Sequence, residues 1–137
     1  MTELINVKIL HLVLKKKWYE MQESGEKPEE YREITPYWCN ILLAKKPYSR
    51  RFWKGILDNT KDILDNYRHL LNRYSTRGYT HVCFHYGYTQ RCFINRIDSI
   101  TIGRGNPEWG APTDRDVFII KHHKEPSPII VGKDFKR

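Results

Sequence analysis

Lys27, Glu30 and Arg32 stand within one eight-residue stretch, GEKPEEYR, at residues 25–32. A lysine, a carboxylate and a guanidinium held this close can neutralise one another while still offering donors and acceptors. Such a set can grip a base edge, a phosphate or a carbonyl. Where burial tunes the carboxylate or the amine, it can also run acid–base chemistry, with Lys27 steadying developing negative charge and Glu30 activating water. The same residues also fit an exposed, salt-bridged turn, which adds little to stability. The surroundings sharpen the question. Six glutamates (Glu20, Glu23, Glu26, Glu29, Glu30 and Glu33) fall in this region of a chain whose formal net charge is +8.

Other groups could join them. Tyr31 and Tyr37 can stack on a base or simply pack. Tyr88, Thr89 and Arg91 follow a central strand and could approach the motif. The loop GRGNPEWG, residues 103–110, offers Arg104 to a phosphate and Trp109 either as a stacking platform or as a plug of the core. Its glycines lack the spacing and context of a dinucleotide fingerprint. His81, Cys83 and His85 alternate along one strand face, with Cys92 as a conceivable fourth zinc ligand. Alternate strand positions lie about 7 Å apart, which is awkward for three ligands on one ion. The sequence therefore argues against a metal site, and no cofactor is expected. His11 interrupts an apolar strand as a hydrogen-bonded residue near the core. His122 and His123 read as surface residues.

The elements that must position these groups follow from periodicity. VKILHLVL, residues 7–14, is a buried strand. Lys15 to Ser24 reads as a short helix with Leu14, Trp18 and Met21 on one face, ended by Gly25 as a C-cap. Pro28 discourages the helix from resuming. Glu29–Ile34 then runs extended, with Glu30, Arg32 and Ile34 on one side. Residues 35–51 look irregular or briefly helical. A long helical pattern runs from Trp53 to Tyr74, weakened early by Gly55 and Asn59, so that it begins late or splits. Strand alternation returns at 80–87. Residues 91–103 give one or two strands with a bend near Asp98, and 116–123 a last strand. Residues 129–132, IIVG, suggest a short edge strand.

With 137 residues and no dividing linker, the expectation is a single domain over residues 1–137. Three cysteines make no disulfide framework and suggest a reducing compartment. The opening apolar run is too short to span a bilayer, and its basic cluster follows rather than precedes it, unlike a signal peptide. A cytoplasmic protein without a membrane partner is expected. Charge is unevenly spread. Residues 34–57 hold no acid and five basic groups (Lys45, Lys46, Arg50, Arg51 and Lys54). Residues 66–97 hold no acid and five arginines (Arg68, Arg73, Arg77, Arg91 and Arg96). Tyr37, Trp38, Tyr48, Trp53, Tyr86 and Tyr88 are interleaved with them. Basic groups with aromatic neighbours suit a single-stranded nucleic acid. The alternatives are solvated basic faces and aromatics that only build the core.

Gly25, Lys27, Glu30 and Arg32 fit the signature G-x-K-x-x-E-x-R, and in this the chain resembles the ASCH domain family of the PUA-like superfamily. The likeness extends to the strand ILHLVL, the helix KKKWYEMQES, and the later GYT, GRGNPEWG and DVFII segments, in the manner of a bacterial or phage member. It is weakest between about residues 45 and 77. The resemblance implies an α+β fold: a PUA-like mixed β-barrel with flanking helices, here carrying a long helical insert. It implies a cleft into which Lys27, Glu30 and Arg32 project, and RNA as partner. Some members are nucleases. One branch removes the acetyl group of N4-acetylcytidine with the motif lysine, a threonine nucleophile and a more distant glutamate. Lys27 matches that lysine, but Glu30 stands at the nucleophile's position and has no hydroxyl. The resulting expectation is an RNA- or nucleotide-binding domain whose ligand meets Lys27, Glu30, Tyr31, Arg32, Tyr88, Arg91, Arg104 and Trp109. The alternative is a hydrolase of a modified nucleoside or RNA phosphodiester, with Lys27 and Glu30 as its catalytic pair.

Overall fold

The computed structural model describes residues 7–43, 48–64 and 70–124. The chain is α+β, with a mixed five-stranded sheet in the order β1-β3-β4-β5-β2. The strands are β1 (Ile9–Leu14), β2 (Glu29–Arg32), β3 (His81–Tyr86), β4 (Cys92–Gly103) and β5 (Val117–Lys124). The helices are α1 (Lys16–Ser24), α2 (Pro36–Leu42), α3 (Arg50–Leu64) and the single turn α4 (Leu70–Arg73). Two compact units divide the chain. One comprises residues 1–29, 78–98 and 121–137, the other residues 30–77 and 99–120.

In the first unit β1 and β3 run parallel, with Leu10 opposite Val82, Leu12 opposite Phe84 and Leu14 opposite Tyr86. Leu10, Leu12, Leu14, Val82 and Phe84 are buried, so one face of this pair forms core. Tyr19 of α1 closes it, meeting Tyr86 and Phe93 edge-on with ring centroids 5.2 and 5.1 Å away. Burial, reinforced by the Glu23 carboxylate, pushes the Tyr19 phenol up to about 12. Gly25 ends α1 in the left-handed region at φ 86°, and its N–H donates to the Gln22 carbonyl. This turn delivers the chain to Lys27, whose N–H donates to the Met21 carbonyl at 3.0 Å.

In the second unit, Thr35 caps α2 by accepting the Trp38 N–H at 3.2 Å, with Pro36 at the first helical position. The helix α3 starts earlier than its weak first turn suggests. Ser49 Oγ accepts the Phe52 N–H at 3.1 Å, and Trp53 and Leu57 bury the inner face. A cap of about 1 kcal/mol offsets a cost of about the same size at exposed Gly55. Trp53 is fully buried among Tyr48, Phe52 and Tyr74, and its Nε1–H donates to Asn40 Oδ1 at 3.3 Å. Burial pushes the Cys39 thiol up to about 12. Residues 92–103 form one strand, and residues 129–132 lie outside the described residues.

Candidate functional site

The motif residues divide between the two units. Lys27 belongs to the first. It is almost fully buried, 2% exposed, and its Nζ lies 4.6 Å from the centroid of the Trp18 ring. The α1 helix supplies that ring, and the Gly25 turn returns the lysine to it. A desolvated ammonium over an indole face gains from the ring quadrupole.

Glu30 and Arg32 belong to the second unit. They share one side of β2, as the two-residue strand period requires. Glu30 Oε2 accepts from Arg32 Nη1 at 3.0 Å, and Glu30 Oε1 accepts the Tyr31 backbone N–H at 3.0 Å. Arg32 Nη1 also donates to the Tyr31 carbonyl at 2.9 Å. The guanidinium carbon sits 5.1 Å above the Trp38 ring. Glu30 is buried, whereas 17% of the Arg32 side chain reaches solvent. The glutamate thus orients an arginine that keeps limited access to water.

Tyr31 points to the opposite side of β2. Its ring packs with Ala111 and Val117, and Trp109 and Ile119 lie against that cluster. Its hydroxyl accepts the Asn106 N–H at 3.0 Å, so the phenol braces the 104–110 loop. Trp109 joins the packing there, half-buried. Asn106 in turn caps the 3-10 turn Pro107–Trp109 by accepting the Glu108 N–H at 2.9 Å. Gly105 has no room for a side chain. A Cβ there would sit 2.6 Å from both Ala111 Cβ and Tyr31 Cε1.

Beside this cluster lies a recess of about 220 Å³, bounded by Tyr31, Arg32, Glu33, Ala111, Pro112 and Arg115. Arg115 donates to Glu33 Oε1 at 2.7 Å and to Asp114 Oδ1 at 3.1 Å. Its hydrogen bond to Glu33 raises the guanidinium above its usual value. Arg104 Nε donates to the buried Asp116 carboxylate at 3.1 Å, and its Nη1 to the Thr113 carbonyl at 3.1 Å. Arg104 therefore ties down the loop that carries Arg115.

The other two binding candidates lie in the first unit. Tyr88 is 90% exposed at the turn after β3. Arg91 donates to Glu23 Oε1 at 2.7 Å and stands over the Tyr19 ring at 5.1 Å. The structure thus brings Tyr31, Arg32, Arg104 and Trp109 into one unit with one loop, and places Lys27, Tyr88 and Arg91 in the other. Sequence reasoning gave no site role to Trp18, Gly105 or Arg115, and offered Trp38 only as one of the aromatics interleaved with basic groups. Trp18 was visible as a core residue of α1. Arg115 pairs with Glu33 across 82 positions, and no local pattern signals that.

One histidine assignment changes and its neighbour's holds. His122 is buried rather than superficial: it alternates inward along β5 and its Nδ1 meets Asn95 Nδ2 at 2.9 Å. His123 is exposed and contacts Asp98 Oδ1 at 2.6 Å. Among the described residues no helix is long and apolar enough to cross a membrane. No family model, curated protein or solved structure matches this chain.

Proposed function

We propose that this protein is an RNA- or nucleotide-binding domain of ASCH, PUA-like type that reads a base through the Arg32 recess. One observation carries the reading. Arg32 is held on Trp38 by Glu30, with 17% of its side chain reaching solvent, and Arg32 borders a cavity of about 220 Å³. That volume suits a base-sized group, below the roughly 300–1,000 Å³ of sites for larger ligands. The charges decide which part of a nucleotide enters. Arg32 and Arg115 share the lining with the Glu33 carboxylate, which pairs with Arg115. A phosphate would meet that carboxylate, whereas a base edge presents donors and acceptors to such a mixed lining. Phosphates fall instead to exposed basic groups such as Arg50, Arg51 and Lys54 on α3.

The hydrolase reading is the weaker one. Both Glu30 oxygens already accept hydrogen bonds, from Arg32 and from the Tyr31 N–H. The carboxylate orients a cation in this arrangement rather than a water. The test is a titration with short single-stranded RNAs, duplexes and free nucleosides, with product analysis on the same samples. Binding of single strands that weakens as salt rises, with the RNA recovered intact, is the expected result. Turnover would favour hydrolysis, and absence of binding to every probe would end the RNA reading.

A further inference from the structure

The parallel pairing of β1 with β3 assembles a second set of chemical groups, on the sheet face opposite the leucine core. His11 stands opposite Cys83 in the register, and His85 lies two residues further along β3 on the same face. The ligand atoms of His11, Cys83 and His85 all lie within 4.8 Å of one another. His11 Nδ1 and His85 Nε2 are 2.9 Å apart, with the rings tilted by 30°. Cys83 is fully buried, His85 is 5% exposed and His11 is half-buried.

We propose that His11, Cys83 and His85 form a binding site for a zinc-class divalent ion. Two imidazole nitrogens and one thiolate are the donor set that suits zinc, at about 2.0–2.1 Å for nitrogen and 2.3 Å for sulfur. Tetrahedral coordination at those lengths puts the two nitrogens about 3.3 Å apart, slightly wider than the hydrogen-bonded pair. Small side-chain rotations therefore convert the cluster into a three-ligand site. His11 then uses the Nδ1 lone pair and His85 the Nε2 lone pair, each ring keeping its proton on the other nitrogen. The Cys83 thiol proton leaves to solvent as the thiolate binds. The fourth position is open to water, the arrangement of zinc sites that keep a reactive position. Solvent reaches this face at Val13, which is 38% exposed beside His85 in the register.

The difficulty that spoke against His81, Cys83 and His85 is the spacing along one strand. Replacing His81 by His11 from the neighbouring strand removes it. His81 Nδ1 is instead 2.8 Å from Thr80 Oγ1. Cys92 stands opposite His85 in the β3–β4 register but is not part of the cluster.

The experiment is titration of the full chain with Co2+ and then Zn2+, read by absorption and by thermal unfolding. One equivalent of Co2+ should give a thiolate-to-cobalt charge-transfer band with the intense visible bands of four-coordinate cobalt. Zn2+ should displace it and raise the unfolding temperature. Cys83→Ser should abolish the charge-transfer band, and His11→Ala should weaken metal binding at least tenfold. His81→Ala and Cys92→Ser should leave both unchanged. A wild-type protein without the charge-transfer band overturns the proposal even if a variant fails to fold. So does a band that survives Cys83→Ser or disappears with Cys92→Ser.

Discussion

The β2 ion pair and the β1–β3 histidine–cysteine cluster are built by the same two-residue strand period, yet only one could be read from the sequence. Glu30 and Arg32 are two positions apart on a single strand, so alternation alone puts them on one side. His11 and His85 are 74 positions apart, and only the parallel register brings them within 2.9 Å. The comparison teaches that periodicity fixes which residues share a face within an element. Partners across strands depend on register, which the turns and the buried faces set together. The two regions also differ in how their polar groups are satisfied. The β2 pair compensates its charges locally, whereas the β1–β3 cluster sets two imidazole rings against each other.

The largest effect should come from breaking the local pair. Glu30→Ala leaves the Arg32 guanidinium without its carboxylate and the Tyr31 N–H without its acceptor. A loss of about 3 kcal/mol in chemical unfolding is expected, as for a partly buried charge stripped of its partner. Gly105→Ala should cost about 2 kcal/mol, because the new methyl collides with Ala111 and the Tyr31 ring. It should also weaken any ligand of the recess, since the same ring borders it. Tyr31→Phe should cost about 1 kcal/mol by removing the acceptor of the Asn106 N–H, while keeping the ring in place.

Alkaline titration gives the most gradual effect. Tyr19 and Cys39 are both raised to about 12 in the folded protein, from ordinary values of 10.0 and 9.0. Their neutral forms are favoured by folding, so their contribution is full below about pH 9. It is lost as pH rises toward 12, because the unfolded chain releases these protons first. Unfolding curves measured from pH 8 upward should show stability falling, and Cys39→Ala should flatten the early part of that fall.

Several features of the fold were legible. The apolar run of residues 7–14 and the alternation of residues 80–87 anticipated β1 and β3, and Gly25 ended α1 where a positive φ was needed. The Glu30–Arg32 side was anticipated as well. Less visible was the start of α3, where the Ser49 cap and the burial of Trp53 outweigh the weakness of Gly55. His122 looked superficial because two adjacent histidines near a charged segment carry no sign of which one faces inward. Trp109 was open between platform and plug, and its packing against the Tyr31 cluster is a long-range fact. Gly105 gave no local signal, because its constraint is the space left by Tyr31 and Ala111 rather than its backbone angle.

The most direct test of the account is equilibrium binding of a short single-stranded RNA to wild type and to Arg32→Lys, at two salt concentrations. Lysine keeps the charge but not the planar donor fork that Glu30 orients. If Arg32 reads a base edge, the variant should bind about tenfold more weakly at both concentrations, with an unchanged salt slope. Equal affinity for the two proteins would contradict the reading and remove Arg32 from the site.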